Sequence, residues 1–133
     1  MITIYTDGSC IKTKGGWAFC ILEEDGSEYY FCGCDSNTTN NKMELTAVIE
    51  ALECIKINQK CLIYSDSQLT INCAVGKWKR NANLDLWLKY DIISKNKNIK
   101  FEWVKAHNGD KYNERADEIA TSFADDAPVK LKK

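Results

Sequence analysis

The chain has 133 residues, with 18 basic and 19 acidic side chains and a formal net charge of −1. This length suits one domain with its own core, and a hydrophobic content of 44% excludes a wholly disordered or fibrous chain. No apolar run approaches the ~18–20 residues of a membrane helix, and the balanced charge argues against a tight, nonspecific DNA binder. Residues 1–7 carry no basic segment, so we expect a cytoplasmic protein without a signal peptide.

Three strand-like segments open the chain, at residues 2–6, 17–22 and 28–34. Asp25-Gly26 lies between the second and the third and predicts a hairpin turn, so these two strands should be antiparallel. The polar residues 38–41 are suited to cap the helix that we predict over residues 42–57. We then predict a strand over 61–65, helices over 68–75 and 84–94, a strand over 99–105 and a helix over 111–124.

The resulting element order is βββαβααβα, which predicts a mixed α/β protein. Strands that are separated by helices should lie parallel to each other. We expect one domain over residues 1–125, followed by a flexible basic tail over residues 126–133 that ends in Lys-Leu-Lys-Lys.

The cysteines form no recognisable site. Seven are present, an odd number that cannot pair completely. There is no C-x-x-C motif and only one histidine, so no cysteine–histidine zinc pattern is complete. We therefore expect reduced cysteines that serve as small core residues. They are Cys10, Cys20, Cys32, Cys34, Cys54, Cys61 and Cys73.

Two of the predicted strands end alike, with IYTD at residues 4–7 and IYSD at residues 63–66. If these strands are parallel neighbours in register, the carboxylates of Asp7 and Asp66 leave adjacent strand ends about 5 Å apart. Ligands of open α/β sheets bind beyond such ends, and two close carboxylates favour a cation between them. Mg²⁺ fits, since it prefers carboxylate, water and phosphate oxygens. The alternative is that both are ordinary strand-ending or helix-capping residues.

Glu44 begins an apolar stripe of the predicted helix over residues 42–57. The stripe continues through Ala47, Val48 and Ala51, so Glu44 should face the core. A carboxylate in that position is costly unless it is paired or binds a metal. The alternative, compensation of the helix dipole, explains an acid at a helix start but not its inward direction.

Asp117 and His107 are two further candidates near the end of the chain. Asp117 shares a face of the last helix with Ala120 and Ala124, small residues that allow close packing on the sheet. The alternative for Asp117 is a solvated helix acid. His107, the only histidine, lies in a polar loop, where it is either an exposed residue or a proton shuttle at neutral pH.

Five motifs, in this order and on these elements, are similar to the successive motifs of type 1 ribonuclease H, and together they span about residues 2–124. They are TDGS at residues 6–9, NNKMEL at 40–45, YSDSQ at 64–68, WVKAH at 103–107 and NERADE at 113–118.

The resemblance implies the ribonuclease H-like α/β fold, a five-stranded mixed sheet of strand order 3-2-1-4-5 with helices on both faces. It implies an endoribonuclease that hydrolyses the RNA strand of RNA–DNA hybrids and leaves 5′-phosphate and 3′-hydroxyl ends. Two Mg²⁺ ions about 4 Å apart would hold the scissile phosphate, and Mn²⁺ would also support activity. The implied metal ligands are Asp7, Glu44, Asp66 and Asp117, and His107 would move a proton or assist product release.

The resemblance also implies the substrate contacts. Asn40, Asn41 and Gln68 would lie at the minor groove, where a protein can detect the 2′-hydroxyl that distinguishes RNA from DNA. Thr39 would lie near a phosphate of the DNA strand, and Asn113 would line the metal site. Helix capping is the alternative for Thr39 and Asn40, and a simple first-turn position is the alternative for Gln68.

The chain departs from the family pattern in its basic surface. Residues 77–83 stand where longer members carry a basic protrusion, and the loop over residues 11–14 is short. With a net charge of −1, these departures predict weak hybrid affinity and steep salt dependence. Lys77, Lys79 and Arg80 form either a remnant basic patch or a solvated turn. We expect a monomer that does not associate with membranes, with a hybrid-binding partner or a parent polyprotein as an open alternative.

Two other functions stay open at this point. One is a noncatalytic nucleic-acid binding module, against which the four acids argue. The other is a different metal-dependent nuclease on the same fold, such as a resolvase or transposase core. Asn40, Asn41 and Gln68 favour recognition of RNA over that second alternative.

Overall fold

The computed structural model describes residues 1–105 and 111–124. Within these ranges the chain forms five strands and four helices, in the predicted order. The strands are β1 (Ile2–Ile11), β2 (Lys14–Leu22), β3 (Glu28–Asp35), β4 (Lys60–Ser65) and β5 (Asn98–Trp103). The helices are α1 (Asn40–Glu53), α2 (Gln68–Ala74), α3 (Leu84–Ser94) and α4 (Lys111–Ala124).

The strands form one sheet in the order β3-β2-β1-β4-β5, which confirms the predicted topology. β1 and β3 pair antiparallel with β2, whereas β4 pairs parallel with both β1 and β5. The parallel pairs result from the helices that separate these strands along the chain, because such a connection returns the chain to the same end of the sheet.

Strand β1 is longer than predicted, since it continues past Asp7 to Ile11. Its parallel pairing with β4 extends as far as Tyr5 opposite Tyr64, but its antiparallel pairing with β2 continues to Ile11 opposite Lys14. The polar residues after Thr6 therefore lie in a strand that has lost one neighbour and kept the other. Asp7 therefore lies where β1 has parted from β4, while its backbone stays paired with Ala18 of β2.

Helix α1 spans Asn40–Glu53 rather than the predicted residues 42–57. It begins earlier because the Thr39 side chain caps it, accepting a hydrogen bond from the Lys42 backbone N–H at 3.2 Å. It ends earlier because the chain tightens after Glu53, where the Cys54 N–H donates to the Ala51 carbonyl at 3.1 Å. Strand β5 likewise ends at Trp103, two residues before its predicted end.

Helices pack on both faces of the sheet. One face carries the main core, a cluster that includes Phe19 and Ile63 of the sheet, Val48 and Leu52 of α1 and Trp87 of α3. On the other face, Ala18 of β2 packs with a small cluster of α4 side chains: Ala116, Ile119 and Ala120. Because Ala18 and Phe19 are consecutive on β2, they point to opposite faces. No helix within the described residues has the length and apolar character needed to cross a membrane.

The expectation that the cysteines are core residues is confirmed for Cys20, Cys61 and Cys73, which are buried. It is wrong for Cys32, Cys34 and Cys54, which are exposed. Cys32 and Cys34 lie on β3, an edge strand that is exposed along most of its length, and Cys54 follows the end of α1.

Candidate active site

Three acidic side chains from three different elements meet at one end of the sheet. Asp7 lies in β1, Glu44 lies near the start of α1, and Asp66 directly follows β4. Each offers a carboxylate oxygen, and these oxygens all lie within 4.8 Å of one another. Asp7 and Glu44 are buried, at 3% and 8% exposure. The structure thus places three of the four predicted acids in one cluster.

The register of the sheet accounts for the pairing of Asp7 with Asp66. β1 and β4 are parallel, and Tyr5 lies opposite Tyr64. Two residues further along each chain come Asp7 and Asp66, at the point where the two strands part. The Thr6 hydroxyl donates to the Tyr64 carbonyl at 3.3 Å and extends the contact between the strands by one residue. The adjacency that the repeated sequence pattern predicts is confirmed.

Glu44 reaches the cluster because α1 lies against β1 at Gly8. A Cβ atom at position 8 would collide with the backbone of Met43 and Glu44, so only glycine allows this approach. The Gly8 N–H donates a hydrogen bond to the Glu44 carboxylate. The predicted inward direction of Glu44 is confirmed. The role of Gly8 was missed, although a glycine directly after a candidate acid is a signal for a close backbone approach.

Asp66 is held through its backbone. The Trp103 indole N–H donates to the Asp66 carbonyl at 3.1 Å, and the Val104 N–H donates to the Ser65 carbonyl at 3.0 Å. The Ser67 N–H donates a hydrogen bond to the Ser65 hydroxyl oxygen at 3.1 Å. The Trp103 indole is about half exposed, and it fixes the turn that carries Asp66.

Asp117 lies on α4, on the opposite face of the sheet from α1. Its carboxyl group lies near enough to Asp7 to raise the pKa of that residue, so it adjoins the cluster from that side. The Thr121 hydroxyl contacts the Asp117 Oδ1 atom at 3.4 Å. Ala120 was one of the small residues expected to pack on the sheet, and it is fully buried, as is Ala116.

The crowding of these acids changes their protonation. Burial, together with the neighbouring charges of Asp66 and Asp117, raises the pKa of Asp7 from 3.8 to about 8. Burial also raises the pKa of Glu44 well above its usual value, and the Asp7 charge adds to this effect. The closeness of the two carboxyl groups makes it unfavourable for both of them to be charged at once. Without a cation, the protonated forms of Asp7 and Glu44 are therefore favoured at neutral pH.

A divalent cation fits the cluster. The Asp7 Oδ2 atom is buried and has no hydrogen-bond partner among the described residues, which is a costly state for a carboxylate oxygen. A cation at this position would satisfy that oxygen and reduce the repulsion within the cluster. The donor set consists of carboxylates alone, which suits Mg²⁺ or Mn²⁺ better than softer metals.

Four of the predicted substrate-binding residues lie exposed at the N-termini of two helices. Thr39, Asn40 and Asn41 begin α1, and Gln68 begins α2. Thr39 is confirmed as a helix cap. The Asn40 Oδ1 atom accepts a hydrogen bond from the Cys10 N–H at 2.6 Å, which fixes this side chain against the end of β1.

Two other predicted site residues differ from these four. Asn113 is buried, at 2% exposure, so it lies within the packing of α4 rather than on an open surface. His107 lies outside the described residues. The roles predicted for both residues stay predictions.

The contacts of Arg80 fit neither alternative, a remnant basic patch or a solvated turn. Its guanidinium binds both carboxylate oxygens of Asp91, at 2.8 and 2.9 Å, and its Nε donates to the Cys73 carbonyl at 3.1 Å. It also lies 4.4 Å from the centre of the Trp87 ring. Arg80 therefore ties the segment after α2 to α3. Lys77 and Lys79 are exposed and stay candidates for contact with a polyanion.

Comparison with known proteins adds independent information. The family model described as RNase H matches residues 1–125. The ribonuclease H of Ehrlichia chaffeensis is 43% identical, over 91% of this chain and 92% of the relative. The ribonuclease H of Campylobacter jejuni is 40% identical, over 92% of this chain and 90% of the relative.

Solved structures agree with the fold. LC11-RNase H1, determined in complex with an RNA/DNA hybrid, superposes with a TM-score of 0.82 at 24% identity. The match covers 95% of this chain and 98% of LC11-RNase H1. RNase H1 from Halobacterium salinarum superposes with a TM-score of 0.76 at 25% identity, over 95% of this chain and 98% of the other.

Proposed function

This chain belongs to the RNase H family of enzymes, and we propose that it hydrolyses the RNA strand of RNA–DNA hybrids, leaving 5′-phosphate and 3′-hydroxyl ends. The observation that carries the proposal is the cluster of Asp7, Glu44 and Asp66. Burying acids this close together lowers the stability of the fold, and a pure binding module has no use for them. Such a cluster is suited to hold cations against a phosphodiester.

Magnesium is the proposed cofactor, with two ions per active site and Mn²⁺ as a functional substitute. Asp7, Glu44 and Asp66 would hold it, with Asp117 contributing from α4 beside Asp7. When bound, the ions supply activation of the attacking water and stabilisation of the leaving 3′-oxygen. The unpartnered Asp7 Oδ2 atom is the feature of this structure that best supports the assignment.

The chain's own groups prepare the site for this chemistry. The Gly8 N–H orients the Glu44 carboxylate, and the Trp103 indole fixes the backbone at Asp66. Asp7 and Glu44 hold protons in the absence of a cation, and they must release them before their oxygens can act as ligands. Metal binding should therefore strengthen as the pH rises through the pKa of Asp7, at about 8.

Recognition of the hybrid is proposed for the exposed helix N-termini. Asn40, Asn41 and Gln68 carry short or flexible amides that can donate to and accept from a 2′-hydroxyl through the wide minor groove. Thr39 would contact a phosphate of the DNA strand at the start of α1, where the helix dipole favours an anion. LC11-RNase H1 binds an RNA/DNA hybrid and shares this fold, which supports the same class of substrate here.

The test uses one sequence prepared as an RNA–DNA hybrid, an RNA duplex and a DNA duplex, each labelled on either strand. Each is incubated at low salt with Mg²⁺, with Mn²⁺ or with EDTA. We expect cleavage of the RNA strand of the hybrid alone, abolished by EDTA, with products that a poly(A) polymerase can extend from their 3′-hydroxyl ends. Cleavage of DNA would indicate another nuclease on this fold. Binding of the hybrid without cleavage in any metal would indicate a binding module.

A further inference from the structure

Helix α3 carries an exposed apolar stripe that the proposed catalytic function does not use. Leu84, Leu88 and Ile92 are spaced by four residues, which places them on one side of a helix. They are 61%, 62% and 68% exposed, among the highest values for large apolar side chains in the described part of the chain. A single exposed leucine is ordinary, but three in a row on one helix face form one contiguous apolar patch, and such patches are often functional.

The opposite side of α3 already has its partner. Trp87 and Tyr90 are buried in the main core, where Tyr90 contacts Phe101 of β5. The core therefore explains one apolar face of this helix and leaves the other unexplained. A helix that is apolar on two sides is normally covered on both.

The size of the stripe fits a modest interface. Three aliphatic side chains at these exposures present roughly 300–350 Å² of apolar surface, the size of the largest patch on a typical monomer. Two such stripes in contact, with the stems of the flanking charged residues, would bury about 1,000 Å², near the lower limit of a specific interface. Association through this surface should therefore be weak and dependent on concentration.

The charged residues beside the stripe would be complementary to the same residues of a second copy. Asp85 lies exposed in the first turn of α3. Lys89 lies exposed one turn later on the same flank, where Glu50 of α1 is also a charged neighbour. When two copies of such a helix cross antiparallel about Leu88, the same flanks face each other. Asp85 of each copy then meets Lys89 of the other, so two ion pairs form by symmetry. The net charge of −1 adds little repulsion between copies.

We propose that α3 is a self-association surface, through which two copies of this chain pair antiparallel in a two-fold symmetric dimer. Leu84 of one copy packs beside Ile92 of the other, and the two Leu88 side chains meet at the axis. This replaces the monomer expected from the sequence. It does not depend on the catalytic proposal, because Leu88 and its neighbours take no part in the carboxylate site.

The first test is sedimentation equilibrium of the full chain over a concentration series from about 1 μM to 1 mM. We expect the wild type to shift from the mass of one chain towards twice that mass. Leu88→Glu should weaken association more than about 10-fold, because it buries a charge without a partner. Tyr29→Glu is the matched control: Tyr29 is an exposed aromatic residue on edge strand β3, and this variant should associate like the wild type.

The second test uses the charges. Asp85→Lys and Lys89→Asp should each associate poorly alone, because like charges then face each other across the axis. An equimolar mixture should associate as the wild type does, since every Lys again meets an Asp. A wild type that stays monomeric throughout, a Leu88→Glu variant that still dimerises, or a mixture that shows no rescue would each overturn the proposal. Circular dichroism melting confirms that every variant is folded.

Discussion

At the scale of one residue, the buried carboxyl group of Asp7 lowers the stability of the fold when it is charged. Its carboxyl group is 3% exposed and lies beside the side chains of Glu44, Asp66 and Asp117. Burial and these neighbours make its charged form unfavourable, which raises its pKa to about 8. A folded-state pKa above the usual 3.8 means that the contribution of Asp7 to stability is fully present below about pH 4. It is lost as the pH rises through 8.

Asp7→Asn should therefore stabilise the metal-free protein at pH 8 and have little effect at pH 5. Asparagine is uncharged at both values, so the cost of the buried charge disappears where it is largest. We expect the melting temperature in EDTA to rise by clearly more at pH 8 than at pH 5. Asp25→Asn, at the exposed β2–β3 turn, is the control and should show no such difference. An equal shift at both pH values would contradict the account of this residue.

At the scale of the element, the approach of α1 to β1 depends on the lack of a side chain at Gly8. Gly8→Ala should destabilise the fold by about 2–4 kcal/mol, because the new Cβ atom meets the backbone of Met43 and Glu44. Gly76→Ala is the comparison: Gly76 has a φ of 84° but open space around it, so only about 1 kcal/mol of backbone strain is expected. Urea unfolding of both variants measures the difference. Equal losses would show that the close approach does not constrain α1.

Thr39 is predicted to act both as the cap of α1 and as a contact for the DNA strand. Thr39→Ala should lower the free energy of unfolding by about 1 kcal/mol through loss of the cap. Thr39→Ser keeps a hydroxyl group and should restore both stability and KM for the hybrid. Thr39→Asp should keep the cap but raise KM, because it places a negative charge beside the phosphate. If Thr39→Asp leaves KM unchanged, Thr39 serves α1 alone.

The sequence predicts those features that depend on local patterns. The Asp25-Gly26 turn, the repeated strand endings at Asp7 and Asp66, and the position of Glu44 at the head of an apolar stripe all agree with the structure. The end of α1 was predicted too late because Ile55 continues the apolar period and is buried in the core, although it lies beyond the helix. A periodic pattern reports burial, and the helix boundary depends on backbone hydrogen bonds.

The features that were missed depend on distant partners. Strand β1 continues to Ile11 because β2 stays paired with it, and no local signal shows this. Trp103 binds the backbone of Asp66, a residue 37 positions earlier in the chain. Arg80 carries a charge suited to a polyanion, but its guanidinium is already paired with Asp91 and stacked on Trp87. In each case the residue type allows several partners, and only the tertiary structure selects one.

At the scale of the whole molecule, the near-neutral charge limits how the protein holds a polyanion. Lys77 and Lys79 are exposed beside Trp78, whereas Arg80 is already paired with Asp91. Replacing Lys77 and Lys79 with Gln should raise KM for the hybrid and reduce the slope of log affinity against log salt by about 1–2. Arg80→Gln should instead lower the melting temperature. Fluorescence anisotropy over a salt series separates these outcomes, and an unchanged slope would remove the two lysines from the interface.

The most direct measurement of the central claim is single-turnover cleavage of a labelled RNA–DNA hybrid at saturating Mg²⁺ by Asp66→Asn. Asparagine keeps the shape of Asp66 and its backbone contacts, but it removes a charge from the cluster that would hold the metal. The account predicts a loss of at least about 10³-fold in rate with the fold intact, and wild-type activity for the control Asp25→Asn. A folded Asp66→Asn enzyme that cleaves within about 10-fold of the wild-type rate would contradict it.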